Sequence, residues 1–459
     1  MSSKTNKHDM LKGDIKQTLI SMTVPMILGM IMLMTFSLVD TFFVSMLGTE
    51  ELAALSFTFP VTFTVISLNI GLGIGTSAII GRYLGSGESE HAKALATGAL
   101  MLSALLVGIL ALVGINSIEL IFGWMGATPE LMVHIKAYMV PWFLAGVFLA
   151  LPMVGNSVLR ASGDTKTPSI IMAAGGAINA VLDPILIFGW GPIPAMGIQG
   201  AAIATAVAWG VGVIWILYLL AVRRKLMEPR LLSIKEFTQA ASGVLKIGLP
   251  AAGANMLTPI AGGVMTAIVA TYGAEAVAAW GVGNRLESIA SIIVLSLSMS
   301  LPPFISQNFG ANNYERIEQA FDLSAKFVLV WQLGVFVVMA ILAKPIANVF
   351  AQEQSVIRDI TLFLYILPLG YGLQGIIILS NSSFNAMHKP MAALMLSILR
   401  LFVFYVPIGY LGSHFYGLLG LFWGCVIANV VTALVSYTWI KQSIRQQAQI
   451  NARYSKESI

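Results

Sequence analysis

Asn179 and Asp183 stand four residues apart in an otherwise apolar run, Ala-Ile-Asn-Ala-Val-Leu-Asp-Pro-Ile-Leu-Ile-Phe over 177–188. That spacing places both on one face of a helix. A carboxylate in hydrocarbon costs about 2.5–3.5 kcal/mol even on insertion scales, so it normally faces a cavity or a partner. Pro184 has no N–H to donate; it frees a carbonyl one turn earlier and favours a bend there. A second acid, Asp40, lies in the equally apolar Phe36-Ser-Leu-Val-Asp-Thr-Phe-Phe. Desolvation and a neighbouring like charge both favour the protonated carboxyl, so a buried Asp pair can take up and release a proton near neutral pH, titrating as a pair. Carboxylate, amide and hydroxyl oxygens are equally the hard ligands that suit Na⁺. The residues allow either ion.

The elements that carry these groups follow from composition. The chain of 459 residues is 57% hydrophobic and 10% charged, with a mean hydropathy of +0.84, far from a soluble domain. Apolar runs long enough to cross a bilayer recur along it. They predict an all-α membrane protein of about twelve spans, near 16–47, 51–82, 92–123, 131–160, 166–189, 196–222, 241–272, 276–308, 315–346, 356–386, 390–412 and 417–446. The alternation of a membrane barrel is absent. The short basic start, before a long apolar helix, predicts no removable signal peptide. The net charge of +5 resides in loops and suggests no nucleic-acid partner. With Cys425 as the only cysteine, no internal disulfide is possible, and the histidines show no metal-ligand spacing.

Basic residues fix an expected orientation. Lys4, Lys7, Lys12 and Lys16, the cluster Arg223 to Lys246, and Lys441 to Lys456 fall on one side with Arg82, Lys93, Arg160, Lys166, Arg316 and Lys389. Only Lys136, Lys344 and Arg358 fall on the other. Positive loops stay inside, so both termini are expected to be cytoplasmic, in a multi-pass plasma (inner) membrane protein. On this topology Asp40 and Asp183 both lie roughly 10 Å inside the outer boundary, with Tyr138 and Thr205 at roughly 10–14 Å. Four polar groups at one depth on four helices form a candidate site.

The chain also repeats. A shift of 225 carries Pro25 onto Pro250, Gly48-Thr-Glu-Glu-Leu-Ala-Ala onto Gly273-Ala-Glu-Ala-Val-Ala-Ala, Gly85 onto Gly310 and Asn156-Ser157 onto Asn381-Ser382. Gly197 and Gly200 recur as Gly417 and Gly420. The expected organisation is an N-terminal lobe (1–222), a cytoplasmic linker (223–240) and a C-terminal lobe (241–459). Each half has an even number of spans, so the two six-helix repeats are parallel and are expected to enclose a central cleft, which is a transporter design. The run Gly71-Leu-Gly-Ile-Gly-Thr-Ser lacks the lysine of a phosphate loop. The expected driving force is therefore an ion gradient, with no cofactor and no catalytic residues. Neither acid has a counterpart in the second half, where the repeat reaches Met265 and Tyr405. That half is expected to bury its own charges, Arg285 and Glu287 on span eight and Arg400 on span eleven, with a Glu287–Arg400 structural ion pair expected.

The two-lobe pattern, Val39-Asp40-Thr41, Asn179-x-x-x-Asp183-Pro184, Leu159-Arg-Ala-Ser-Gly-Asp164 and Gly197-Ile-Gln-Gly-Ala-Ala-Ile-Ala-Thr205 together resemble the multidrug and toxic compound extrusion (MATE) transporters. The acids in the first lobe, and Ala254-Asn-Met-Leu-Thr-Pro259 where the other prokaryotic branch has a glutamate, resemble the DNA-damage-inducible (DinF) branch. The resemblance implies export of diverse, often cationic organic compounds (drugs, dyes, toxic compounds) in antiport with H⁺, or alternatively Na⁺, by a monomer in the lipid bilayer whose lobes rock. It implies a cation network of Asp40, Asn179, Asp183 and Thr205 with Tyr138 beside it, helix bending at Pro184, and a substrate cavity near Leu33, Phe36 and Asn156. Three other functions compete. A lipid-linked saccharide flippase of similar architecture needs more buried cations. An intramembrane aspartyl protease needs Tyr-Asp and Gly-x-Gly-Asp motifs, which are absent here. A passive channel needs no titratable acids confined to one lobe.

Overall fold

The structure, a computed structural model, describes residues 10–457, with side chains to Arg453. Lys4, Lys7 and Lys456, used for orientation, lie outside the described backbone or side chains. The first half contains α1 (Ile15–Ser45), α2 (Thr49–Gly85), α3 (Ser89–Trp124), α4 (Pro129–Leu144), α5 (Gly146–Ala161), α6 (Lys166–Phe188) and α7 (Ile198–Tyr218), the last continued by a π-helical turn, Leu219–Arg223. The second half contains α8 (Ile234–Ala270), α9 (Ala274–Ala290), α10 (Ile292–Gly310), α11 (Tyr314–Ile341), α12 (Ala343–Phe350) and α13 (Gln354–Ile366). After a 3₁₀ turn come α14 (Tyr371–Ala386), α15 (Pro390–Ile398), a π-helical segment (Leu399–Tyr405) and α16 (Val406–Glu457).

Ten helical stretches among the described residues are long and apolar enough to cross a membrane, and α4 with α5, bent by 49° at Ala145, makes eleven. The stretch Pro390–Arg453 is further broken where Tyr416 and Gly417 leave helical geometry. Treating that break as a boundary brings the number to the expected twelve.

The expected 223–240 linker is shorter as irregular chain, because α8 starts at Ile234. Ser233 Oγ and backbone N–H both donate to Glu236, at 2.7 and 2.9 Å, and the Glu236 N–H returns to Ser233 Oγ at 3.3 Å. This reciprocal capping box satisfies donors that a helix start leaves orphaned. Arg230 clamps the same Glu236 through both terminal nitrogens, and its guanidinium is held well above its ordinary range by Glu236 and then Glu228.

The internal repeat is visible in the backbone. Gly87 (φ 85°) and Asn312 (φ 59°), Gly163 (φ 92°) and His388 (φ 59°), and Gly197 (φ 57°) and Gly417 (φ 61°) are repeat mates, and all are left-handed. The turns are thus conserved between the halves even where the residue type is not.

The described chain divides into two compact units, residues 24–252 and residues 10–23 with 253–457. The division falls inside α1 and α8, so each of these helices contributes to both units. In the 24–252 unit, one apolar cluster gathers Leu72, Ile80, Leu100, Val158, Ile216 and Val244. Another gathers Phe122, Tyr138, Trp142, Phe143, Ile187 and Ile198. Small residues set the helix spacing there, as in other membrane proteins. A Cβ on Gly71 would stand 2.3 Å from the Gly248 carbonyl oxygen, and one on Gly75 2.5 Å from that of Val244. Gly71 and Gly75, one turn apart, are therefore packing positions for the first part of α8, while Gly73 faces Ser157 of α5. In the other unit, Phe304, Phe321, Leu379, Phe384 and Ile440 form one cluster, and Met265, Trp280, Phe363 and Phe422 another. There Thr23 Oγ1 shares a 2.7 Å hydrogen bond with Ser300 Oγ, and Arg316 donates to the carbonyls of Met10 and Gly13.

Gly71→Ala is expected to destabilise the protein by about 1–3 kcal/mol, because the obstacle is backbone and cannot swing away. Gly123→Ala, whose added methyl meets nothing within 4 Å, is expected to leave stability unchanged or slightly raised. Thermal melts of both variants in detergent check the pair; equal melting temperatures contradict the packing account.

Candidate cation-binding site

Asp183 is fully buried on α6, and Tyr138, on α4, is 8% exposed. Asn179 (α6), Thr205 (α7) and Asp40 (α1) are partly buried. Local sequence explains how α6 and α7 come together. Gly189, Gly191 and Gly197 all have positive φ, which lets the chain reverse between the two helices through a small bridge, Trp190 to Ile193. The Met196 and Gly197 N–H groups donate to the carbonyls of Leu186 and Ile187, at 2.9 and 3.0 Å. Those are helix-end carbonyls that otherwise lack partners. Gly200 then allows contact: a Cβ there would sit 2.4 Å from the Leu186 oxygen.

The result is a polar chain across two helices. Thr205 Oγ1 donates to Asn179 Oδ1 at 2.9 Å, and Asn179 Nδ2 donates to Asp183 Oδ2 at 2.7 Å. Thr205 Oγ1 also lies 3.0 Å from the Ala201 carbonyl. Asp40 brings its carboxyl within hydrogen-bonding reach of Asp183, and Tyr138 is within electrostatic range of both acids. Asp40 Oδ1 and Asp183 Oδ1 are buried and have no hydrogen-bond partner. Among the described residues neither acid has a basic partner. Two neighbouring carboxyls, each with an orphaned oxygen, need a proton or a cation to compensate them.

The remaining expected residues divide. Phe36, on α1, lies against Gly176 of α6, whose missing Cβ would fall 2.1 Å from the ring. Leu33, one turn earlier, is 45% exposed. Asn156 is buried in the last turns of α5 with Oδ1 unpaired, and it takes no part in the Asp40–Asp183–Asn179–Thr205 chain. Its repeat mate Asn381 donates instead to the Ala393 carbonyl and to Ser397. Pro184 lies within α6, which runs as one helix to Phe188. Gly29 of α1 is a point of close approach, since its Cβ would meet the Ser169 backbone at 3.1 Å.

In the other unit two expectations fail. Arg285 is exposed, because Gly283, two residues away, is on the buried face of α9, where its Cβ would collide with Phe363. Glu287 does not pair with Arg400: it accepts a 2.9 Å bond from Gln374 Nε2, and Arg400 Nε is buried without a partner. Sequence reading passed over Gln374, although its amide sits in an apolar run, Gly-Leu-Gln-Gly-Ile-Ile-Ile-Leu, that resembles the setting of Asn179.

The sequence pattern of the family described as MatE matches residues 25–185 and again 250–411. The chain belongs to the MATE family. The two matches are one per half, as the repeat requires. This MATE transporter is a multi-pass membrane protein and not an enzyme. It is 40% identical to an FAD transporter of Shewanella oneidensis, over 94% of this chain and 96% of that one. It is 28% identical to the probable multidrug resistance protein YoeA of Bacillus subtilis, over 88% and 89%. Among solved structures it is similar to the bent form of the Vibrio cholerae MATE transporter VcmN, with a TM-score of 0.90 and 35% identity, over 94% of this chain and 98% of that one.

Thr205→Val, which keeps shape but removes the hydroxyl, is expected to leave Asn179 Oδ1 unpaired and to cost about 1–3 kcal/mol. Thermal unfolding of Thr205→Val against Thr205→Ser checks this, with Ser expected to hold near wild type. Equal loss in both variants contradicts the hydrogen-bonded chain.

Proposed function

We propose that this MATE transporter exports organic compounds in exchange for protons, that Asp40 and Asp183 carry the coupling proton, and that it belongs to the DinF-like branch. The observation that carries this reading is a pair of neighbouring acids, Asp40 and Asp183, each with one buried oxygen that has no hydrogen-bond partner. With one proton, one carboxyl donates to the other and the pair is satisfied. With none, two adjacent carboxylates repel, and one must move or recruit water. Proton occupancy thereby selects between arrangements of α1 against α6, and a cargo that prefers one arrangement is coupled to the ion. Branch membership is supported by the acids of the first unit and by Ala254-Asn-Met-Leu-Thr-Pro259, which holds none. The distribution of basic loops supports an inner-membrane protein with cytoplasmic termini.

H⁺ is favoured over Na⁺ by the direction of the hydrogen-bond chain. Asn179 presents nitrogen, not oxygen, to Asp183, which suits a carboxylate acceptor and offers a cation no ligand. Na⁺ would require the amide to turn over, with Nδ2 donating to Thr205 and Oδ1 facing the acids. For cargo, broad organic export is supported by the likeness to YoeA. A flavin dinucleotide is a second reading, supported by the higher identity to the FAD transporter across nearly the whole chain.

In proteoliposomes with an imposed pH gradient, uptake of a cationic dye or of FAD is expected to be coupled to proton release. Asp40→Asn and Asp183→Asn are expected to reduce it to the level of protein-free vesicles while melting within a few degrees of wild type. Wild-type transport by either variant would overturn the assignment, and transport that follows an imposed Na⁺ gradient instead would replace H⁺ by Na⁺.

A further inference from the structure

Arg400 occupies an expensive place. It lies ten residues into the Pro390–Arg453 stretch, or about 15 Å from Pro390. Its Nε is buried without a partner, and the side chain is only partly exposed. Among the described residues it forms no salt bridge. A charged group at that depth is normally paired, and the nearby carboxylate, Glu287, is held by Gln374 instead.

The backbone around Arg400 is unusual too. Leu399–Tyr405 is π-helical, a rare form that is frequent at functional sites. In an α-helix residues five apart point about 140° away from each other. The wider π turn brings them to one side, and Tyr405 is accordingly an electrostatic neighbour of Arg400. Tyr405 lies against Cys425 of α16. Tyr371, on α14, has a buried hydroxyl with no hydrogen-bond partner and is within range of Glu287. All these residues belong to the 253–457 unit. An Arg400 Nε without a partner, with the Tyr405 phenol nearby, is a donor without an acceptor. A planar fork of that kind matches the oxygens of a phosphate or carboxylate.

We propose that Arg400 is an anion-recognition residue that binds a phosphate or carboxylate group of the exported compound, with Tyr405 assisting and Glu287 competing for the same guanidinium. The inference rests on the reading of the chain as an exporter and adds compounds carrying an acidic group to its cargo. Glu287, tethered by Gln374, keeps the guanidinium from being wholly uncompensated while leaving its fork free for the incoming anion.

Equilibrium binding of riboflavin 5′-phosphate, followed by flavin fluorescence anisotropy in phosphatidylcholine nanodiscs, tests this. The assay contains no gradient, so it stands independently of whether Asp40 and Asp183 carry the coupling ion. The wild type is expected to bind. Arg400→Gln is expected to weaken binding at least ~10-fold, as for loss of a charge-assisted pair, and Arg400→Lys to recover part of it. Glu287→Gln is expected to tighten binding, and it remains the readout if Arg400→Gln does not fold. No binding by the wild type, unchanged affinity in folded Arg400→Gln, or unchanged or weaker binding in Glu287→Gln would each overturn the proposal. In phosphatidylglycerol nanodiscs the affinity is expected to be unchanged. Competition by that lipid, abolished in Arg400→Gln, would assign the site to a lipid headgroup and overturn the solute reading.

Discussion

Two carboxyl oxygens without partners, in helices built for hydrocarbon, are the constraint on which the first unit depends. A single unpaired buried polar atom costs about 1–3 kcal/mol, and a charge costs more. Asp40 Oδ1 and Asp183 Oδ1 are both buried and unbonded, so the pair is stable only when something is shared between them. The surrounding sequence serves this arrangement. Gly200 and the glycine-rich reversal bring α7 against α6, and Thr205 and Asn179 then satisfy one oxygen of Asp183 and leave the other open. Gly176 admits the Phe36 ring, and Gly29 lets α1 lie close to α6 at Ser169.

The second unit is built on the same turns with the opposite chemistry. Left-handed positions recur at repeat mates, and the family pattern matches once in each half. Yet the counterpart of Asp40 is Met265, which is fully buried and lies near Gly409. The counterpart of Asp183 is Tyr405, inside a π-helical segment that also carries Arg400. One scaffold thus holds acids in one unit and an unpaired guanidinium in the other, which fits a transporter whose ion and cargo are bound by different chemistry.

Much of this was legible in the sequence. Asn179 and Asp183 stood out because polar groups four apart in an apolar run have one geometric reading, and rise per residue gave Asp40, Tyr138 and Thr205 one expected depth. The Thr205–Asn179 bond needed the reversal at 189–197, whose course depends on three left-handed glycines. The expected Glu287–Arg400 pair failed because helical periodicity says nothing of a competing amide on another helix, Gln374. Nor does it foresee a π segment that shifts the face on which Arg400 lies. The start of α8 is legible too: Ser233-Ile-Lys-Glu236 is a capping-box pattern.

The central claim is that the Asp40–Asp183 pair holds a proton that leaves during transport. Infrared difference spectroscopy of the purified protein, titrated from acid to alkaline pH, reads this directly through the carbonyl stretch of a protonated carboxyl. The account predicts a band that is lost on deprotonation in the wild type and is absent or displaced in both Asp40→Asn and Asp183→Asn, since the proton belongs to the pair. A titrating carboxyl band that persists unchanged in both variants would contradict it.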